Sequence, residues 1–276
     1  MRPRQHPSPR RSGSDGMTTQ NLAPRQDAAN AFHALHVRGQ PLVLFNAWDA
    51  GSARAIADAG AKAIATGSWS VAAANGYEDG ERVPFALAMD NLRRIVCAVA
   101  PPVTIDLESG YGDAPEAVGA AAAAALDAGA VGCNLEDSFP SDGRLRDMAD
   151  QVQRLAAARR AADAAGVAMF INARTDVFFQ KPADAHDTAM VDHALQRARA
   201  YADAGASGLF VPGLVADALI ARLVEASPLP VNIMAMPGVP DRSRLAELGV
   251  ARISHGPGPY RGAMQWLAAA AKEAMA

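Results

Sequence analysis

Two carboxylates one residue apart, Asp106 and Glu108, sit in the stretch Val103-Thr-Ile-Asp106-Leu-Glu108-Ser-Gly-Tyr-Gly-Asp113. Three β-favouring residues precede them, so a strand ends here, and alternate positions of a strand share a side. Two like charges brought together need a cation, or one of them stays protonated. Hard oxygen ligands at a strand end suit Mg²⁺, with Mn²⁺ as a substitute. A plainer reading has one carboxylate capping the turn and the other solvated. Asp113-Ala-Pro115-Glu116 then opens a helix, with Asp113 as the expected N-cap.

Other groups of the same chemistry recur at the ends of apolar runs. Glu136 and Asp137 follow Val131-Gly-Cys-Asn-Leu135 and add a third acid, Glu136, to the pair; Asp137 reads more readily as a cap. Arg174 follows Phe170-Ile-Asn-Ala173, where it either pairs with the acids or grips a substrate carboxylate with two parallel hydrogen bonds. Acids, a metal and an arginine together imply a small anionic, oxygen-rich substrate. Ser68 and Trp69 follow Ala65-Thr-Gly67, a turn whose backbone N–H groups could hold a carboxylate, or an ordinary polar loop. In the long loop that follows, Tyr77-Glu78-Asp79 offers Asp79 to the metal's surroundings and Tyr77 as a proton donor, while Glu78 reads as solvated. Asn232 ends another run and is a substrate-binding candidate. His255 opens His255-Gly-Pro-Gly-Pro-Tyr260; it is either a proton donor or a histidine packed on a rim, and the two prolines make the loop a poor phosphate cradle. His186 and His193 read as surface residues.

The elements that must position these residues repeat. Asp58-Ala-Gly60-Ala, Asp127-Ala-Gly129-Ala, Asp203-Ala-Gly205-Ala, Ala164-Ala-Gly166-Val and Glu247-Leu-Gly249-Val each end a helix at a glycine and lead into a short apolar run. The expected strands are 42–45, 63–66, 103–105, 131–135, 169–173, 208–211, 231–233 and 252–254, with helices between them and a last one near 260–274. Eight strands alternating with eight helices make an α/β protein of the closed (β/α)₈ barrel type, in which chemistry sits at the C-terminal strand ends. An open doubly wound sheet is the alternative, but no Gly-x-Gly-x-x-Gly opens a helix here. Nearly every strand ends in polar or ionisable residues, whereas the opposite ends read Gly-Ala or Gly-Val. That convergence on one mouth outweighs any single motif.

The chain has 276 residues and a formal charge of −3 without a basic stripe, which argues against a nucleic-acid partner. No apolar run approaches the roughly 18 residues of a membrane span. Cys97 and Cys133 have no metal-ligand spacing and are expected to be buried small hydrophobes; a cytoplasmic enzyme is expected. The Arg-, Pro- and Ser-rich start, residues 1–20, is expected to be a disordered tail, with Met17 an alternative start, and 25–276 a single barrel domain.

Phe45-Asn-Ala-Trp-Asp49, Thr66-Gly-Ser-Trp-Ser70, Asp106-Leu-Glu-Ser-Gly-Tyr-Gly112, Asn134-Leu-Glu-Asp137 and Asn172-Ala-Arg-Thr-Asp176 together resemble the isocitrate lyase/phosphoenolpyruvate mutase superfamily over about 42–260. The resemblance implies that Asp106 contacts Mg²⁺ while Glu108 and Glu136 hold its waters. It implies that Ser68 and the Trp69 backbone bind the substrate carboxylate, that Arg174 stabilises substrate charge and that Asp79 lies near the reacting centre. It also implies a homo-oligomer, commonly a tetramer, with the last helix exchanged between subunits. One segment departs from the family: Ser138-Phe-Pro-Ser-Asp-Gly-Arg144 replaces both the Lys-Lys/Arg-Cys-Gly-His loop of the lyases and the Lys-x-Asn-Ser loop of the mutases. The expected activity is a Mg²⁺-dependent carbon–carbon lyase on a small 2-oxo or 2-hydroxy carboxylate, with oxaloacetate decarboxylation as its concrete form. The alternatives are a methylisocitrate-lyase-like or phosphonopyruvate-acting enzyme, and a non-catalytic protein that binds Mg²⁺ and an oxo acid.

Overall fold

A computed structural model describes residues 19–276, with side chains from Arg25 onward. The tail expected at 1–20 lies almost wholly outside the described residues. Chain order is α1 (Thr19–Ala34), β1 (Leu42–Leu44), β2 (Asn46–Ala47), α2 (Ala50–Asp58), β3 (Ile64–Thr66), α3 (Ser68–Ala74) and α4 (Phe85–Ala98). It continues with β4 (Val103–Asp106), α5 (Pro115–Asp127), β5 (Gly132–Glu136), α6 (Met148–Ala164), β6 (Phe170–Arg174) and α7 (Thr188–Asp203). The last elements are β7 (Gly208–Phe210), α8 (Asp217–Ala226), β8 (Val231–Met234), α9 (Arg242–Glu247), β9 (Arg252–Ser254) and α10 (Gly258–Ala274).

All pairings in the sheet are parallel, in the order β1-β9-β8-β7-β6-β5-β4-β3-β2. The nine strands are the eight expected positions with the first one broken. Phe45 interrupts it; β1 pairs with β9 and β2 with β3, so the two halves close the ring. The barrel wall is apolar because both of its faces are covered.

Helix α1 has no counterpart in the sequence-based expectation. It closes the N-terminal end of the barrel: Phe32 is fully buried, and a Cβ on Gly132 would stand 2.8 Å from its ring. His36 stacks on Phe170 at 3.8 Å and makes a 2.9 Å hydrogen bond from Nδ1 to the Phe32 carbonyl, which accepts and so fixes the proton on Nδ1. Burial, reinforced by the Arg252 charge, lowers its pKa to about 3. A histidine held neutral stabilises the fold fully above its unfolded pKa near 6.5, and that stability is lost as pH falls toward 3. Between pH 6.5 and 5 the wild type is therefore expected to lose about 1–2 kcal/mol that a His36→Gln variant does not lose, read as urea midpoints at the two pH values. Equal pH slopes in the two proteins would exclude His36 as the source.

Three expectations are corrected. Cys97 is exposed, because α4 buries Ala88, Leu92 and Ile95, a spacing of three to four that leaves position 97 on the outer face. Asp113 does not cap α5; Ala114 occupies that position, and Asp113 instead pairs with Arg146 at 2.7 Å. Asp137 is no cap either and is fully buried. Among the described residues, no helix is long and apolar enough to cross a membrane.

Candidate active site

The C-terminal ends of β3, β4, β5 and β6 assemble the site. Strand β4 ends at Asp106, and the chain then turns through a left-handed residue, Glu108, at φ 52°. Convergence of the two acids is therefore set by this kink and not by strand alternation. Tyr111 and Glu81 are also left-handed, at φ 56° and 60°. Such backbone costs of order 1–3 kcal/mol per residue, which the surroundings must offset. Here they do so with hydrogen bonds. The N–H groups of Gly80 and Glu81 donate to Glu108 Oε2 at 3.0 and 2.6 Å, and the Tyr111 hydroxyl donates to Oε1 at 3.3 Å. Glu81 returns the clamp by accepting from the Ser109 hydroxyl and the Tyr111 N–H at 2.7 and 2.8 Å.

Strand register sets Glu136 beside Arg174 across β5 and β6. The guanidinium Nη1 lies 2.7 Å from Glu136 Oε2, while Nε and Nη2 donate to the two Asp176 oxygens at 2.7 and 3.0 Å. Ser138 Oγ stands 3.2 Å from Glu136 and 2.7 Å from Asp176. Asp106 is held only by backbone, from the Ser68 and Glu108 N–H groups at 3.3 and 3.4 Å. A cavity of about 20 Å³ lined by Thr66, Ser68, Asp106, Glu108 and Tyr111 adjoins it, room for one water-sized group.

Charge at this mouth is unbalanced. Burial pushes the Glu108 carboxyl up to about 7, and Asp106 adds to the rise. Burial pushes Glu136 up to about 8 against the pull of Arg174. Asp79 is raised by burial and by Asp106, with the Ser68 hydroxyl opposing, which places Asp79 in the same cluster. Burial works against the Arg174 charge, but Glu136 and Asp176 outweigh it and hold the guanidinium firmly ionised. Carboxylates thus outnumber the one cation among them.

The structure therefore brings together Asp79, Ser68, Asp106, Glu108, Glu136 and Arg174. Others stand apart. The Trp69 ring turns to the start of α10, against Tyr260 at 6.0 Å and under the Arg261 guanidinium at 4.4 Å. Tyr77 is 40% exposed. The His255 ring lies 5.0 Å from Phe45, and burial lowers its pKa. Asn232 is buried and donates to Ser254 at 3.0 Å, within an interior ladder that also holds Arg252, Asn134 and Asn172. Sequence reasoning missed Glu81, Tyr111, Ser138 and Asp176 as working parts. Their signal was adjacency to the acids, which does not distinguish a partner from a bystander.

Among the described residues, no three His, Cys, Asp or Glu side chains stand grouped to ligate an ion directly. The fit is to a cation with one direct ligand. Asp106 has only long backbone contacts, while Glu108 and Glu136 already carry partners and reach an ion best through water.

The phosphoenolpyruvate phosphomutase family model matches residues 32–275. A crystal structure from Burkholderia cenocepacia J2315, provisionally described as a phosphonomutase, is 60% identical, covers 91% of this chain and 99% of its own, and superposes with a TM-score of 0.89. An uncharacterised Mycobacterium tuberculosis protein is 37% identical over 88% of both chains. The fold is shared by a phosphonopyruvate hydrolase solved with oxalate and Mg²⁺, at 21% identity and a TM-score of 0.75, covering 87% of this chain and 84% of that one.

Proposed function

We propose a function from one fixed premise: the chain belongs to the phosphoenolpyruvate phosphomutase family, within the isocitrate lyase/phosphoenolpyruvate mutase superfamily of lyases and mutases. The reading is a Mg²⁺-dependent carbon–carbon lyase acting on a small 2-oxo carboxylate, with oxaloacetate decarboxylation as the reaction. The observation that carries it is the surplus of carboxylates around Arg174, with Asp106 in no direct ion pair among the described residues. A divalent cation bound there supplies charge neutralisation for the substrate's carboxylate and 2-oxo oxygen. The chain's own groups do the rest. Backbone N–H groups of Ser68 and Trp69 receive the carboxylate. Arg174, pre-oriented by Asp176, faces the oxygen on which negative charge develops as the bond to the departing carboxylate breaks. The resulting enolate then needs one proton, which water would supply, since the Tyr77 and His255 side chains stand apart from the acids. No strong base is needed to start, which agrees with the absence of a cysteine in the segment after Glu136-Asp137.

The test is pyruvate release from oxaloacetate, with Mg²⁺ and with chelator, corrected for the metal's own background. Mg²⁺-dependent turnover blocked by oxalate is expected. Release equal to background, with oxalate still bound, would exclude decarboxylation. The 60% identity to a provisional phosphonomutase favours phosphonopyruvate as the second substrate to try, although the Lys-x-Asn-Ser loop is missing. A homo-oligomer with exchanged terminal helices is part of the same proposal. Its support is that α10 buries only Pro259 of its own chain, while a groove of about 1090 Å³ lies open between α2 and α9.

A further inference from the structure

Behind the mouth lies a second, buried charged cluster. Asp137 is fully buried, Tyr201 fully buried, and Arg197 5% exposed. Arg197 Nη1 and the Tyr201 hydroxyl, one turn apart on α7, both donate to Asp137 Oδ2, at 3.0 and 2.7 Å. The other oxygen, Oδ1, accepts the backbone N–H of Asp176 at 2.9 Å. The Asp137 N–H donates to the Arg174 carbonyl at 3.1 Å. Arg197 has a second arm: Nη2 donates to the Arg146 carbonyl at 2.9 Å, and the Arg146 N–H donates to the Asp137 carbonyl at 2.7 Å. That second arm ends the segment Ser138–Arg146, which is already folded on itself through Phe139 and Arg144 and through Gly143 and Phe139.

The geometry points to Arg197 as a positioning residue for Arg174. It acts through Asp137 and the Asp176 main chain, and it locks the short 138–146 segment with its other arm. The inference rests on Arg174 serving the proposed reaction, but the positioning itself can be read without any substrate. Buried ion pairs contribute little net stability compared with apolar packing of the same volume, while their hydrogen bonds fix direction. Asp137 is fully buried and cannot touch substrate; its main-chain N–H holds the Arg174 carbonyl, and its carboxylate holds the Asp176 N–H, which no apolar side chain could do. Asp176 is the two-pronged partner of Arg174, so a tilt of the 174–176 backbone misaims the guanidinium. Groups that orient a functional side chain typically carry large effects at short range.

The experiment compares wild type with Arg197→Met, Arg197→Lys and Tyr201→Phe. The first readout is solvent exchange of the Arg174 Nε–H proton by nitrogen-edited NMR, assigned by Arg174→Lys. The second is kcat and KM for whichever substrate turns over, and the third is the thermal midpoint. In Arg197→Met, exchange is expected to speed up and kcat to fall about 10- to 100-fold, with Arg197→Lys recovering part of both. Tyr201→Phe keeps the ion pair and volume and is expected to cost about fivefold, the worth of one hydrogen bond, so it carries the test if Arg197→Met does not fold. A lower thermal midpoint with unchanged Arg174 exchange in any folded variant means a purely structural pair and overturns the inference. If no substrate turns over, the proposed function fails while the exchange readout still decides this point.

Discussion

Asp106→Ala is expected to lower Mg²⁺-dependent turnover by about a thousandfold or more while making the metal-free protein no less stable. The loss follows from the loss of the one carboxylate free to ligate a cation directly; electrostatic groups aimed at developing charge are typically worth about 10²–10³ in rate each, and a metal adds several kcal/mol. The stability half follows from the same crowding. Asp106 raises the pKa values of Glu108, Asp79 and Glu136 by repulsion and is attracted by Arg174 and Arg252, so the two kinds of neighbour oppose each other. Removing it relieves the repulsion, gives up the attraction, and leaves two long backbone N–H contacts unmade, so little net change is expected. The measurement is the thermal midpoint in chelator and in Mg²⁺. Wild type is expected to rise with Mg²⁺ and the variant to stay flat, because a ligand stabilises only a fold that binds it. Equal Mg²⁺ shifts in both, or full activity in the variant, would remove Asp106 from the metal site.

How far the sequence could be read follows from how local each signal was. The barrel strands were legible because each is an apolar run after a helix-ending glycine, and the structure places β3 to β9 within a residue of the expected bounds. The break at Phe45 was not, since a closing strand that serves two neighbours at different heights leaves the same residue types as an unbroken one. Helix α1 has no local signal because it plugs the barrel end with Phe32, and with His36 just beyond its last turn, against partners about 100 or more residues away such as Gly132 and Phe170. The acids were found from their types. What they do was only half legible: Glu108 and Tyr111 reach their places through left-handed backbone that nothing in the letters announces. Asp137 was read as a cap since its partners, Arg197 and Tyr201, lie 60 and 64 residues on. Cys97 shows the converse, a helical phase that could have been counted and was overridden by residue type.

The second large effect concerns the last helix. Helix α10 is 17 residues long, and Trp266 and Leu267 are 71% and 51% exposed on it. Its first turn is tied down, with Tyr260 against Trp48 and Trp69 at 5.1 and 6.0 Å, so the helix leaves the barrel rim in a fixed direction. In a closed barrel every strand is covered by the helix that follows it. Here the outer face of β1 is left as a groove of about 1090 Å³ lined by Leu35, Val43, Phe45, Ile56 and Ala246 among others, the place a final helix would fill. An apolar helix without a groove and a groove without a helix are complementary surfaces on the same chain, and exchange between two copies would satisfy both. Burying a Trp or Leu side chain contributes about 2–3 kcal/mol each. In a reciprocal pair the residues count twice, so the double variant Trp266→Glu, Leu267→Glu is expected to weaken association by at least roughly a thousandfold. Sedimentation equilibrium reads the outcome: a multimer for wild type and a monomer for the variant at the same concentration, with the helical circular dichroism retained. Wild type at monomer mass would refute the exchange. A variant that stays multimeric would move the interface to another surface and leave the groove's occupant elsewhere.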